Sequence, residues 1–418
     1  EIQELRNQIT QMLKRIDILE AKSKEKNVEK KITKNLTQET SDHEAPIKQK
    51  GFLELKNANT VLTVGGRIQM NTWITSPQSS HHANIIPVTA TPGEDKELTS
   101  HVRGSRIWIK TRTPSKYGPV RTLIETDFFG SAGTEINKNA HGLGLRHAYV
   151  HVGNWTAGQT NSAFTTHASL DILHDAINDV FARQPLIRYT VDDDDLAYDI
   201  SFEQPETTLL DPDGNIITPK DDVLPDIVAR IRYYPNWGEV AVALMGRYIN
   251  QDHADISVNG TTTTLDSRDS ALAWATNVST KVKVFGSDDI RLALQYGEGM
   301  GRYIAYNSYA AASIDTNGNI NLQPSFGGHI GYRHWWNDTL KSTISFSFTG
   351  AENKLDGLSA TANRSTINKK AISSQINLLW IPIPNSLIGL EYVKAKREVE
   401  SNENGDLDAA MLQLRYDF

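Results

Sequence analysis

One stretch decides the fold of this chain, Asp408-Ala409-Ala410-Met411-Leu412-Gln413-Leu414-Arg415-Tyr416-Asp417-Phe418, because its apolar and polar residues alternate. Successive side chains of a strand point to opposite faces, so Leu412, Leu414, Tyr416 and Phe418 share one face. A strand that stays apolar up to an aromatic end needs a neighbour, since an unpaired edge exposes backbone N–H and C=O groups. In a closed barrel that neighbour is the first strand, and the pattern therefore predicts an all-β barrel.

Composition excludes several classes of protein. The 418 residues suffice for two or three ordinary domains or for one large barrel. No apolar run approaches the about 20 residues of a membrane-spanning helix, whereas a spanning strand needs an apolar residue only at every second position. The chain has no cysteine, which excludes disulfides, thiol chemistry and Cys-ligated metals. Its mild net charge of -7 argues against nucleic acid as a partner.

The amino-terminal part has a different period. Apolar residues recur three and four positions apart over residues 1–20, which predicts a short α-helical coiled coil and hence self-association. A lone amphipathic helix packed on its own domain is the alternative. Residues 21–58 are polar and predict a linker, and the absence of a signal-peptide pattern at Glu1 is expected of a mature chain. The apolar positions of the coiled coil are Ile2, Leu5, Ile9, Met12, Ile16 and Leu19.

From Asn59 to Phe418 the chain keeps period two, and about sixteen strands can be counted, an even number as in single-chain bacterial barrels. Short turns and long connections are predicted to alternate strictly, as in barrels with short periplasmic turns and long external loops. A soluble sandwich has no reason to keep its long loops at one end. We therefore predict a 16-stranded antiparallel transmembrane β-barrel in the bacterial outer membrane, in contact with its lipid and lipopolysaccharide, with linker and coiled coil in the periplasm.

Several motifs of the barrel region resemble those of the DcaP family of porins. The most specific is Gly297-Glu298-Gly299-Met300-Gly301-Arg302-Tyr303, and the segments 145–149, 157–160, 183–190, 389–392 and 415–418 support it. The resemblance implies a homotrimer of sixteen-stranded barrels that admits small anionic solutes, including dicarboxylates and phthalate-like aromatic acids. Ile at a with Leu at d favours two strands in a coiled coil, but barrel walls bury more surface, so a trimer is expected. Residues 161–180 depart from the family in having neither Gly nor Pro.

Charged residues on the predicted inner face indicate the function. Basic residues outnumber acidic ones there, and a narrow pore of one sign concentrates ions of the opposite sign. Arginine also pairs with carboxylates through two parallel hydrogen bonds. The alternative for any one arginine is that it pairs with a carboxylate of the wall. The predicted pore-lining residues are Arg67, Arg106, Arg121, Glu125, Asp127, Arg188, Arg230, Arg232, Arg247 and Arg333, and the same face includes Lys110, Asp199, Glu203, Lys281, Lys283, Arg291 and Arg415.

Residues 161–180 are predicted to form a constriction loop of helical character, because His167, Asp171, Asp175 and Asp179 repeat every four residues. If this face meets Arg121, Arg230 or Arg232, opposed charges lie across the solute path. The alternative is that these pairs only fix the loop in place.

Other chemistry has weaker support. His167, Asp171 and His174 share a helical face but lack a fourth metal ligand, so no metal site and no cofactor are predicted. The glycines after Tyr296 lack the strand-turn-helix context of a nucleotide loop. The alternatives to a channel are a structural tether acting through the coiled coil and, with less support, a barrel-embedded hydrolase using His141, His147 or His151. We expect a channel and not an enzyme.

Overall fold

The computed structural model describes residues 53–55, 59–77, 96–134, 138–219, 221–265 and 267–418. The predicted coiled coil, residues 1–20, lies outside the described residues, as does most of the predicted linker, residues 21–58. Within that linker, Leu53–Leu55 forms a short strand antiparallel to residues 60–62. In the part of the chain that is described, no helix is both long and apolar enough to cross a membrane.

The described barrel is all-β and consists of sixteen antiparallel strands, as the sequence predicts. Each strand pairs with its neighbours in sequence, so the topology is a simple meander. The strands are β1 (Thr60–Ser76), β2 (Glu97–His101 with Arg106–Thr113), β3 (Val120–Thr134), β4 (Ala140–Val152), β5 (Trp155–Asn161), β6 (Arg183–Asp193), β7 (Leu196–Glu203), β8 (Asp226–Tyr233), β9 (Gly238–Asp252), β10 (Arg268–Lys283), β11 (Asp289–Glu298), β12 (Pro324–Asn337), β13 (Leu340–Ala351), β14 (Asn368–Trp380), β15 (Ser386–Val399) and β16 (Asn404–Asp417).

Strands β16 and β1 close the barrel. Their register runs from Ser76 opposite Asp408 to Arg67 opposite Asp417. Phe418 continues the pairing, because its N–H donates to the carbonyl of Gly66 (2.9 Å) and its carbonyl accepts from the N–H of Gly66 (3.0 Å). A Cβ at Gly66 would lie 2.3 Å from the Phe418 ring, so the glycine leaves room for the aromatic side chain across the seam. The predicted pairing of first and last strands is confirmed.

The two faces of the wall differ in polarity. In β8, Arg230 and Arg232 point inward and are 7 % exposed, whereas Ile227 and Ile231 point outward and are 45 % and 50 % exposed. The same alternation holds along β16, where Leu412, Leu414, Tyr416 and Phe418 face outward. A soluble protein would bury the apolar row, so this arrangement fits a barrel with lipid outside and a polar lumen inside.

Two connections differ from the predicted alternation of long and short. Strands β3 and β4 are separated only by residues 135–139, and β15 and β16 only by residues 400–403. The strands continue as hairpins past the apolar band, and there the outward positions are polar, as Asn404, Asp406 and Asp408 are on β16. Without apolar residues on the outer face, the period-two pattern does not reveal these strand ends. Elsewhere the long connections meet at one end of the barrel and the short turns at the other.

At the long-loop end, parts of four connections pack into a cap. Leu209–Leu210, Ile216–Ile217, Ala312–Ile314 and Ile320–Leu322 form a small sheet over a core that includes Ile249 and Ile256. Asp213 joins three loops, because its carboxylate accepts hydrogen bonds from the hydroxyls of Ser257 and Ser359 (both 2.6 Å). These bonds, with those from backbone N–H groups, lower the pKa of Asp213 to about 2.

Candidate functional site

Residues 162–182, the inward loop, fold into the barrel and lie on the inner wall. Their contacts extend from β7, where Glu203 accepts from the Ala163 N–H (2.8 Å), to Glu391 on β15. The Leu173 and His174 N–H groups both donate to the Glu391 carboxylate (2.7 Å each), and the Ile177 N–H donates to Ser347 Oγ (3.2 Å). The inward loop therefore covers the inner wall on one side of the lumen.

The helix predicted for this segment is wrong. The inward loop consists of turns, bends and extended residues. Its backbone groups bond to polar side chains of the wall instead of to one another. Asn377 Nδ2, for example, donates to the Asp171 carbonyl (2.9 Å), and Gln375 Nε2 donates to the His174 carbonyl (3.3 Å). A polar lumen supplies the partners that buried backbone groups require, so this loop has no need of a helix.

The wall beneath the inward loop is built from small residues. The Leu170 side chain lies over Gly331 and Leu173 over Gly389, where an added Cβ would come within 2.3 Å and 2.8 Å of those leucines. Ile177 is buried against Ala371. Glycine, alanine and serine on the inner faces of β12–β15 therefore make a seat for the apolar side of the loop.

The four predicted loop residues have different partners and do not share one face. Asp171 pairs with Arg333 (3.4 Å) and with the Lys341 ammonium group. Asp175 accepts a hydrogen bond from the Tyr306 hydroxyl. At Asp179, the backbone N–H bonds the Ala176 carbonyl (3.0 Å). The predicted Asp contacts to Arg121, Arg230 and Arg232 are replaced, for Asp171, by contacts that fix the loop to β12 and β13.

His167 lies where the loop approaches the basic wall. Its Nδ1 bonds the Glu239 carboxylate. Burial is the main cause that lowers the pKa of His167, and Arg230 and Arg232 lower it further, while Glu239 acts in the opposite direction. The ring is therefore neutral near pH 7, and its Nδ1–H donates to Glu239.

Three predicted arginines lie around the Asp199 carboxylate on β6–β8, beside the inward loop. The Arg230 Nε lies 2.8 Å and the Arg232 Nη2 3.1 Å from Asp199 Oδ2, on neighbouring strands β8 and β7. Arg188, on β6, acts electrostatically on the same carboxylate. Three guanidinium groups therefore lie near two carboxylates, Asp199 and the Glu239 carboxylate that His167 bonds. This cluster, called here the arginine cluster, carries one positive charge in excess.

A second group on β2–β4 has balanced charges. Arg106 pairs with Glu125 (3.3 Å), and Arg146 pairs with both Glu125 and Asp127 (2.8 Å each). Sequence reasoning missed Arg146. The apolar positions of β4 change phase between Leu145 and the residues after it, and the structure has a bulge there that turns Arg146 and its neighbour inward together. That phase change is the sequence signal for the bulge.

The remaining predicted pore residues differ in exposure. Arg67 pairs with Asp417 (2.7 Å) and Arg247 with Asp226 (3.0 Å), so each of these arginines is balanced by a carboxylate of its own. Arg121 is half-buried on β3.

The histidines considered for catalysis and metal binding have ordinary surroundings. His147 and His151 each bond a threonine hydroxyl on β5 (3.0 Å each). Among the described residues, no three acidic or histidine side chains are grouped as a metal site.

Comparisons with known proteins agree with this architecture. The family model described as Porin subfamily matches residues 58–410. Among solved structures, the outer membrane channel DcaP of Acinetobacter baumannii superposes with a TM-score of 0.71 at 19 % identity, covering 88 % of this chain and 100 % of that chain. The anion-selective porin from Comamonas acidovorans gives 0.54 at 10 % identity, covering 86 % and 100 %. The trimer form of OmpT, an outer membrane protein of Vibrio cholerae, gives 0.52 at 10 % identity, covering 86 % and 99 %. No curated protein sequence matches the chain.

The family model spans the barrel from just before β1 into β16, and the fold shared with DcaP covers the same region. This agreement supports an outer-membrane channel, in line with the resemblance in the sequence. The chain belongs to the porin subfamily and shares the fold of the outer membrane channel DcaP.

Proposed function

We propose that this porin is a passive channel that prefers small anionic solutes, dicarboxylates in particular. The observation that carries the proposal is the arginine cluster, in which Arg188, Arg230 and Arg232 lie around Asp199. His167 of the inward loop is neutral, and its partner Glu239 balances one of these charges, so that one positive charge remains in excess. In a confined pore this excess charge raises the local concentration of anions.

The spacing of the arginines suits a solute with two carboxylates. Arg230 and Arg232 point inward from one strand two residues apart, about 6.6 Å along the backbone, and their guanidinium groups converge on Asp199 Oδ2. Each guanidinium has further N–H donors, so the two adjacent groups can bind the two carboxylates of a short dicarboxylate. Selectivity then comes from bore size and charge, and no covalent step is involved.

The test compares a dianion with a neutral solute of similar size. Arg230→Gln removes one positive charge from the cluster. We expect succinate permeation to fall about tenfold, because the attraction between this charge and the dianion is lost. Permeation of a neutral sugar of similar size should not change, since the sugar carries no charge. Arg268→Gln is the control, since Arg268 is exposed beside the external loops. Equal losses for succinate and sugar contradict charge selection.

We also propose that three copies associate through the outer faces of β1–β4. Within these strands, no described Tyr or Trp points outward, and hydroxyl pairs lie there instead, Thr72 with Ser100 (2.8 Å) and Thr111 with Thr122 (2.7 Å). Lipid-facing barrel walls carry Tyr and Trp at the membrane interfaces. Such residues are present on the other strands: Tyr189, Tyr198, Tyr233, Tyr248, Trp274, Tyr296, Tyr332, Trp336, Trp380, Tyr392 and Tyr416.

In this arrangement the short turns and the amino-terminal coiled coil, residues 1–20, face the periplasm. Deleting residues 1–50 is expected to leave both the trimer and its conductance intact, because the barrel walls hold the assembly. Cross-linking and native electrophoresis check the trimer, and loss of the trimer in the truncated protein contradicts assembly through the wall.

A further inference from the structure

The Gly-rich run after β11 builds a second loop that enters the lumen, residues 299–323, called here the tyrosine loop. The strand pattern does not explain this run. Gly299 and Gly301 have φ values of +83° and +53°, a region that other residues rarely adopt. A Cβ at Gly299 would also lie 2.5 Å from that of Ala273. The glycines thus let the chain turn back from β11 into the barrel.

Tyr303 fixes this loop to the wall. Its hydroxyl donates to Asp226 Oδ2 (2.8 Å) and accepts from Gln184 Nε2 (2.7 Å). Arg247 stands over the ring (5.3 Å) and donates to the Gly299 carbonyl (2.9 Å). Burial and the nearby carboxylates raise the pKa of Tyr303 well above its usual value, so the hydroxyl keeps its proton. The loop therefore has a defined position on β6, β8 and β9.

The tyrosine loop also contacts the inward loop. Phe164 meets the Tyr303 ring edge-on (5.9 Å between centroids), and Phe181 stacks on Tyr306 (4.8 Å). The Tyr306 hydroxyl bonds Asp175. The two loops together narrow the channel from the long-loop side.

Arg302 of the tyrosine loop differs from its two neighbours in burial. It lies between two buried residues, Gly301 and Tyr303, but is itself half-buried. Its guanidinium lies 5.9 Å from the centre of the Tyr303 ring, and it makes no hydrogen bond or close ion pair with any residue that the structure describes. Arg302 therefore keeps its charge available for a solute.

The position of Arg302 relates it to the arginine cluster. The Tyr303 hydroxyl is bonded to Gln184 and Asp226, which lie at the long-loop ends of β6 and β8. Arg188 and Arg230 follow four residues further along those strands, about 13 Å deeper in the wall. A solute that enters from the long-loop side passes Arg302 before it reaches the cluster.

We propose that Arg302 is a specificity-determining residue that captures small dianions at the long-loop entrance and passes them to the arginine cluster. This inference rests on the proposed anion preference and adds a first binding step to it. Asp226 and Glu203 lie close by, but Asp226 is already engaged by Arg247 and Tyr303, and Glu203 by the Ala163 N–H and by Gln184 Nε2. Arg302 and the cluster thus form two positive sites in series.

The test measures the association rate of succinate from each side of a planar bilayer, read from interruptions of single-channel current. Arg302→Gln is expected to slow association from the long-loop side by roughly three- to eightfold, as expected for one charge at about 7 Å from a dianion with and without salt screening. Association from the turn side stays unchanged, and Arg302→Lys restores most of the rate. Arg364→Gln is the matched control, since Arg364 is exposed on another external loop.

The outcomes separate this inference from the proposed function. An unchanged rate in Arg302→Gln, or an equal loss in Arg364→Gln, overturns the role of Arg302. If Arg230→Gln still lowers succinate permeation in that case, the anion preference of the channel stands without an entrance site. If neither variant affects succinate, both proposals fail.

Discussion

Glu391 holds the inward loop in place, and its removal has a calculable effect. Its carboxylate accepts hydrogen bonds from the N–H groups of Leu173 and His174 (2.7 Å each) and from Asn377 Nδ2 (3.0 Å), and it is 4 % exposed. In Glu391→Gln one carboxylate oxygen becomes an NH₂ group, so at least one charge-assisted bond is lost. Such bonds contribute about 1.5–3 kcal/mol each, and we expect loop seating to weaken by about 2–3 kcal/mol.

Hydrogen exchange measures this change directly. A loss of about 2–3 kcal/mol speeds exchange of amides that open with the loop about 30- to 150-fold, when each opening recloses before it exchanges. Mass spectrometry of peptides covering residues 162–182 reports that rate, and single-channel current should become noisier as the loop moves. Glu403→Gln removes the same charge at an exposed site and should have no effect. Unchanged exchange of the inward loop in Glu391→Gln refutes the reasoning.

Three further predictions concern other parts of the barrel. Arg146→Gln leaves the two carboxylates beside it short of a cation, so anion preference, measured as the reversal potential in a KCl gradient, should decrease; an unchanged potential contradicts a role for this group in selectivity. The pKa of His167 is lowered when the inward loop is bound to the wall, so the bound loop favours the neutral ring. The stability of the bound loop should therefore be constant above about pH 6.5, the ordinary histidine pKa, and should decrease as the pH falls below that value. Channel noise between pH 8 and pH 5 checks this, and His167→Gln should remove the dependence. Phe418→Ala loses the ring packed at Gly66 and should lower barrel stability by about 1–2 kcal/mol, seen as a lower temperature of heat modification in electrophoresis; an unaltered temperature shows that the seam does not depend on the ring.

Period-two alternation was enough to predict the barrel because the membrane demands it of every spanning strand. Leu412 to Phe418 and Ile227 to Ile231 follow it without exception. This alternation is required only where a strand contacts the lipid. The outward residues Asn404, Asp406 and Asp408 are polar, and they hid the start of β16.

The candidate site was less predictable, for two physical reasons. The spacing of His167, Asp171, Asp175 and Asp179 suggests a helix, but the loop bonds to the wall through residues such as Glu391, whose distance in sequence no local pattern reveals. At β4, a bulge adds one residue and reverses the facing of the strand beyond it, and Arg146 was therefore missed.

The Gly-rich run of residues 297–303 was the most specific motif in the sequence, but its structural role could not be predicted. That role depends on contacts of Tyr303 with Gln184, Asp226 and Arg247, which lie on three strands distant in sequence. Its arginine, Arg302, lies outside the period-two strands and so was absent from the predicted pore-lining residues.

The small residues beneath the inward loop, on the inner faces of β12–β15, affect the size limit of the channel separately from its charge preference. A larger side chain at Gly331 or Gly389 pushes Leu170 or Leu173 away from the wall and brings the loop nearer the centre of the passage, while the arginine cluster on β6–β8 stays where it is. The size limit for solutes is therefore adjustable from behind the loop, and the preference for their charge from the opposite side. Relatives that differ only at the positions of Gly331 and Gly389 should differ in the largest solute they admit and have the same preference for anions.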